Sequence, residues 1–96
     1  MDVNSLKAVY FIGAGGIGMS ALVRYFLSKG MKVGGYDRTP SDLTQKLIEE
    51  GAQIYYDERV ESIPTDFLDA TSTLIVYTAA MPNDHVLLQY FRNHGY

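Results

Sequence analysis

The segment Gly13-Ala14-Gly15-Gly16-Ile17-Gly18 constrains this 96-residue chain more than any other feature. It reads G-x-G-x-x-G, which is weak evidence alone and much stronger in its setting. Before it runs Ala8-Val9-Tyr10-Phe11-Ile12, a β-branched and aromatic stretch of the kind buried on both faces of a parallel sheet. After it, Ile17, Ala21, Leu22, Tyr25 and Phe26 recur at helical spacing, with Lys29 and Gly30 as a stop signal. A second apolar run, Lys32–Tyr36, then leads to Asp37, 19 positions beyond Gly18. Strand, glycine loop, helix, strand and acidic residue together form a phosphate-binding signal. Gly13 is expected to permit the tight turn, Gly15 to let a diphosphate approach the backbone, and Gly18 to let the helix pack closely on the strand. Backbone N–H groups of Gly16, Ile17, Gly18, Met19 and Ser20 are expected to face the phosphates, favoured by the helix dipole.

The remainder of the chain repeats the alternation. Gly34 and Gly35 thin the second strand, which marks close approach of another backbone or a ligand. Ser41 is the expected N-cap of a helix whose inner face is Leu43, Leu47 and Ile48, ending at Gly51. Gln53–Tyr56 reads as a short third strand. Pro64 breaks the stretch from Asp57 to Ala70 into a loop with one helical turn. Thr73–Thr78 reads as a buried fourth strand, and Pro82-Asn83-Asp84 as the opening of a helix carrying Val86, Leu87, Tyr90 and Phe91, closed by His94 and Gly95. Parallel strands need crossovers of a dozen or more residues, so this order predicts a doubly wound parallel α/β sheet in the order 3-2-1-4. Residues 1–96 make one domain, and the fold is expected to continue into a further strand beyond Tyr96, as in a domain cut from something longer.

Composition removes several function classes. A net charge of −3 argues against a nucleic-acid binder, which needs clustered Lys and Arg. Zero cysteines exclude a disulfide scaffold, a thiolate metal site and a cysteine nucleophile. Ala8–Val23 is interrupted by four glycines and stopped by Arg24, so neither a signal peptide nor a membrane span is expected.

Three further positions complete the expected site. Asp37 offers a carboxylate to a ribose or base, or serves as a turn-former ahead of Thr39-Pro40. Arg38 either pairs with a phosphate or stays solvated. Thr78, Ala79 and Ala80 end the fourth strand where strand order reverses, so their turn should form the opposite wall of a ligand crevice, unless the Thr78 hydroxyl caps its own strand. His85 and His94, nine positions apart, make no metal site and no catalytic set with the glycine loop. The eight tyrosines are expected mostly in the core. G-x-x-x-x-G-K-[ST] is absent, so no ATP-binding P-loop and no catalytic or metal residue is assigned.

Phe11–Leu22 (FIGAGGIGMSAL), Gly35-Tyr36-Asp37-Arg38 and Tyr77-Thr78-Ala79-Ala80-Met81-Pro82 together resemble the amino-terminal domain of the Mur ligases, in the branch that joins L-alanine to UDP-N-acetylmuramate. The resemblance spans nearly the whole chain. It implies a Rossmann-like domain holding the UDP part of UDP-N-acetylmuramate, with Gly15 to Ser20 at the diphosphate and Asp37 and Thr78-Ala79-Ala80 around the uridine. Family members often carry two serines, or Thr-Pro, where this chain has Thr78-Ala79. Some also carry a histidine near the third strand, where Asp57-Glu58-Arg59 offers none. The resemblance further implies a cytoplasmic, three-domain ligase of peptidoglycan synthesis, with ATP and magnesium in a central domain and the amino acid in a carboxyl-terminal one. ATP phosphorylates the muramate carboxylate, and the amine of alanine attacks the acyl phosphate. This fragment alone would be inactive, with no cofactor of its own, and an apolar patch is expected where the central domain docks. Three alternatives remain: an NAD-binding domain of an oxidoreductase, a nucleotide- or redox-sensing regulatory module, and the recycling ligase that attaches a whole peptide to the same UDP-sugar.

Overall fold

The strand read from Ala8–Ile12 forms as expected and is buried at every position. This strand, β1, is the centre of the molecule because its two faces feed two cores. Val9 and Phe11 pack with Met19, Val23, Leu47 and Ile54 on one side; Ala8, Tyr10 and Ile12 pack with Phe67, Leu87, Leu88 and Phe91 on the other. The Tyr10 ring meets Phe67 edge-on at 5.2 Å and Phe91 at 5.3 Å, and burial pushes its phenol well above the ordinary tyrosine range. The computed structural model describes residues 5–79 and 81–96.

The other elements follow in chain order: helix α1 (Ile17–Ser28), strand β2 (Lys32–Tyr36), helix α2 (Asp42–Glu49), strand β3 (Gln53–Tyr55), strand β4 (Thr73–Val76) and helix α3 (Val86–Asn93). All strand pairs are parallel, and the order is β3-β2-β1-β4, as the alternation predicted. Gly35 explains how β1 and β2 lie so close: a Cβ there would come 2.5 Å from the Phe11 carbonyl oxygen and 3.2 Å from the Ala14 Cβ. The close approach expected at these glycines is therefore made by protein atoms.

Several expectations need correction. The β3–β4 connection has no α-helix but two 3₁₀ turns, Val60–Ser62 and Thr65–Phe67, the second starting after Pro64. Its Phe67 is fully buried beside Gly34, where a Cβ would clash with the ring at 2.7 Å. β3 ends at Tyr55 and β4 at Val76, not at Tyr56 and Thr78. β4 pairs only with β1 among the described strands, so Leu74, Ile75 and Val76 are half-buried and not the interior strand their composition suggested. The last helix begins after His85, because Pro82–Asp84 forms a turn in which the His85 N–H donates to the Pro82 carbonyl. α1 is rotated from its expected phase: Met19, Ser20 and Val23 face the core, while Ile17, Leu22 and Tyr25 are exposed. Both flanks of that helix are apolar, so periodicity alone does not choose between them. Of the tyrosines, only Tyr10 and Tyr36 are buried among the described residues.

Candidate functional site

The carboxyl ends of β1, β2 and β4 open on one edge of the sheet, and the expected site residues collect there. Gly13 makes the turn out of β1 with φ of 95°, a conformation that needs glycine. Its N–H and that of Ala14 donate to the Tyr36 carbonyl at 2.7 and 3.0 Å, which ties the loop to the end of β2. Gly16 is the N-cap of α1, and it supplies no side-chain acceptor; nor is there an acidic residue in the first turn. The Gly16 N–H donates to Gly13 and the Ser20 N–H to Gly16, which takes both out of the donor set expected from sequence. The N–H groups of Ile17, Gly18 and Met19 have no backbone acceptor among the described residues. These three are the orphan donors of a helix N-terminus, with the positive end of the helix dipole behind them.

One glycine role is revised and another gains a protein contact. A Cβ on Gly18 would meet nothing within 4 Å, so this glycine does not serve close helix–strand packing; it leaves open space at the loop. Gly15 is needed for a protein contact: a Cβ would fall 2.6 Å from Asp37 Oδ2 and 2.8 Å from Thr44 Cγ2. Asp37 Oδ2 accepts from the Gly15 N–H at 2.6 Å, and Oδ1 accepts from the Thr39 N–H at 3.0 Å. The acid at the end of β2 thus serves as the turn-former and also bolts the glycine loop to β2. Thr44 lies behind this contact, fully buried, accepting from the Ser41 N–H and the Tyr56 hydroxyl and donating to the Ser41 carbonyl.

Beside the loop lies a cleft of about 510 Å³ lined by Tyr36, Arg38, Glu58, Thr78, Met81, Pro82 and His85. Arg38 and Thr78 were expected in a ligand crevice and are there, both exposed. Ala79 is exposed in the same turn, and Ala80 lies outside the described residues. Met81 joins cleft and loop: a Cβ on Gly13 would lie 3.8 Å from its Cε.

Glu58 and His85 were not read as site residues. His85 is buried as the N-cap of α3, where its Nδ1 accepts from the Leu87 N–H at 3.2 Å. Its Nε2 lies 3.0 Å from Glu58 Oε1, although the two are not aligned as a hydrogen bond and Nε2 has no other partner among the described residues. The Tyr36 ring lies 5.2 Å from His85. Burial first, then the Glu58 carboxylate, hold the Tyr36 phenol above its ordinary pKa. Spacing carried no signal for this group, because its members come from β2, the segment after β3, and the turn before α3.

Fold and loop together define a Rossmann-like α/β domain whose glycine loop presents free backbone donors beside a cleft of about 510 Å³. The chain belongs to the Mur ligase family, whose catalytic-domain description matches residues 8–96. It is 69% identical over its full length to the UDP-N-acetylmuramate–L-alanine ligase of Phocaeicola vulgatus and 59% identical to that of Parabacteroides distasonis. It covers 21% of each, so the chain spans about a fifth of the length of these relatives. Among solved structures, the UDP-N-acetylmuramate-alanine ligase of Thermotoga maritima superimposes with a TM-score of 0.76 at 26% identity, over 90% of this chain and 19% of that one. No helix among the described residues is long and apolar enough to cross a membrane.

Proposed function

We propose that this chain is the UDP-binding domain of a ligase that adds L-alanine to UDP-N-acetylmuramate at the expense of ATP. The observation that carries the reading is the contiguity of two unlike surfaces. The unpaired N–H groups of Ile17, Gly18 and Met19 suit a diphosphate, and the adjoining cleft suits a nucleoside. Similarity along the whole chain to proteins that bear that ligase name supports the UDP-sugar over other nucleotides. Gly13 and Gly15 shape the loop, Gly16 and Ser20 frame its donors, and Asp37 anchors the loop beside the uridine; Thr78 and Ala79 form the opposite wall, and Arg38 is available to a phosphate. In this reading residues 1–96 are the amino-terminal domain of a three-domain cytoplasmic enzyme of peptidoglycan synthesis. The parts that hold ATP, magnesium and the amino acid are the domain's partners.

The residues at hand do not fit ATP or magnesium: the sequence has no P-loop, and no group of three His, Asp or Glu among the described residues is placed to hold a metal. No chemical step is therefore assigned to them. Their part is to bind the diphosphate, orient the sugar toward the rest of the enzyme, and turn over nothing alone. Calorimetric titration with UDP-N-acetylmuramate, UMP and NAD tests the reading. Binding of the UDP-sugar and UMP, weakened about tenfold or more in Asp37→Ala because the loop loses its anchor, is expected. Binding of NAD alone would overturn the reading and favour an oxidoreductase domain.

A further inference from the structure

The acid that sequence reasoning offers to a nucleoside's ribose, Asp37, is already engaged on both oxygens by the N–H groups of Gly15 and Thr39. The cleft nevertheless contains a carboxylate with room to act. Glu58 lines it, and its side chain is 44% exposed. We infer that Glu58, held in place by His85, accepts the ribose hydroxyls of the nucleotide that occupies this cleft. The inference rests on the nucleotide-binding reading above and deepens it.

The chain of reasoning starts at the N-terminus of α3. The Leu87 N–H donates to His85 Nδ1, so in the neutral ring the proton sits on Nε2. That N–H is buried without a hydrogen-bond partner, and the one acceptor beside it is Glu58 Oε1 at 3.0 Å. Burying a donor unpaired is costly, so the arrangement draws the carboxylate toward the ring and limits its rotation. Tyr36 packs against the His85 ring from β2 and closes the inner side. His85 itself cannot touch a ligand through Nε2, which Glu58 covers; it is a positioning residue. A carboxylate has about four lone-pair sites and accepts only, so those that remain suit a pair of neighbouring hydroxyl donors. Among the described residues that line the cleft no other is an anionic acceptor: the Tyr36 phenol, Arg38, the Thr78 hydroxyl and His85 are its other polar side chains.

The test compares binding of UDP with binding of its 2′,3′-dideoxy analogue by calorimetry. The parent chain is expected to prefer UDP by about tenfold or more. In Glu58→Ala that preference should collapse to within about threefold, while Asp37→Asn should retain it. His85→Asn keeps a side-chain acceptor at the N-cap and removes Nε2. It should reduce the preference several-fold with little change in melting temperature, which a merely structural histidine would not do. If the parent binds UDP and the dideoxy analogue equally, or if the preference follows Asp37 and not Glu58, the proposal fails while the nucleotide-binding reading stands. The parent comparison needs no variant and decides the matter even if Glu58→Ala does not fold. Failure of the parent to bind UDP at all would overturn both.

Discussion

Two helix N-termini lie almost in contact in this molecule and are finished in opposite ways. α2 is closed: the Ser41 hydroxyl accepts from the Thr44 N–H at 3.1 Å, the Thr44 hydroxyl accepts from the Ser41 N–H at 2.9 Å, and Asp42 sits in the first turn. α1 has a glycine N-cap, no side-chain cap bond and no first-turn acid. Capping residues stabilise a helix by satisfying its first donors, so the chemistry that makes α2 stable is the chemistry that would make α1 useless to an anion. The two ends meet at Gly15, whose missing Cβ leaves room for Thr44 on one side and Asp37 on the other. One helix end is used to brace the other, which is left open.

The largest expected effect comes from pressing these ends together. Gly15→Ala places a methyl 2.6 Å from Asp37 Oδ2 and 2.8 Å from Thr44 Cγ2, so either the bolt or the cap must move. We expect a loss of roughly 2–3 kcal/mol in urea denaturation, together with loss of nucleotide binding. A stability equal to the parent's would show that the two termini are not coupled. Opening the closed end comes next. Ser41→Ala should cost about 1 kcal/mol and change nucleotide affinity less than twofold, since no Ser41 atom belongs to the cleft.

Closing the open end should do the reverse. Gly16 has φ of −67°, and its nearest atoms to a built Cβ are 3.7 Å away, so a side chain fits without strain. Gly16→Asp should leave stability unchanged or raise it by a few tenths of a kcal/mol, while binding of UDP falls about tenfold or more because the new carboxylate competes for the same donors. Unaltered binding in this variant would show that the phosphates do not use this terminus.

The smallest effect concerns how the same two helices are joined farther along their length. Arg24 of α1 and Glu50 at the C-cap of α2 form a two-bonded exposed ion pair, 2.9 and 3.1 Å, and the bond from Arg24 holds the Glu50 carboxyl below its ordinary pKa. A lowered carboxylate pKa stabilises the folded state above the unfolded value, near 4.3, and that contribution disappears as pH falls through the lower, folded value. The small stability difference between the parent and Arg24→Ala should therefore be present at neutral pH, vanish once the pH falls below the lowered Glu50 pKa, and shrink in high salt. A difference that persists in acid would assign the effect to packing of the Arg24 stem.

What could be read in advance depended on how local the governing physics was. Ser41 was legible as a cap because N-cap preference acts over three residues, and Gly13 as a turn because only glycine readily adopts φ of 95°. The parallel order β3-β2-β1-β4 followed from alternation and crossover handedness. Asp37 was placed at the right edge, and its turn-forming reading was correct, but its bond to Gly15 spans 22 positions and no spacing rule announces it. The phase of α1 was misread because Ile17 and Met19 are equally apolar, and only contact with β1 and α2 selects the buried one.

Strands, helices, their order and the glycine loop that leaves α1 uncapped were legible locally, since backbone sterics, hydrophobic period and glycine placement are written into neighbouring residues. What stands opposite that loop came from long-range packing. Tyr36, Glu58 and His85 come from three separate segments, and the parallel sheet delivers the ends of all its strands to the same edge. Their association depends on distances that no local pattern encodes: the N-cap bond that orients the His85 ring and the burial that leaves its Nε2 facing Glu58.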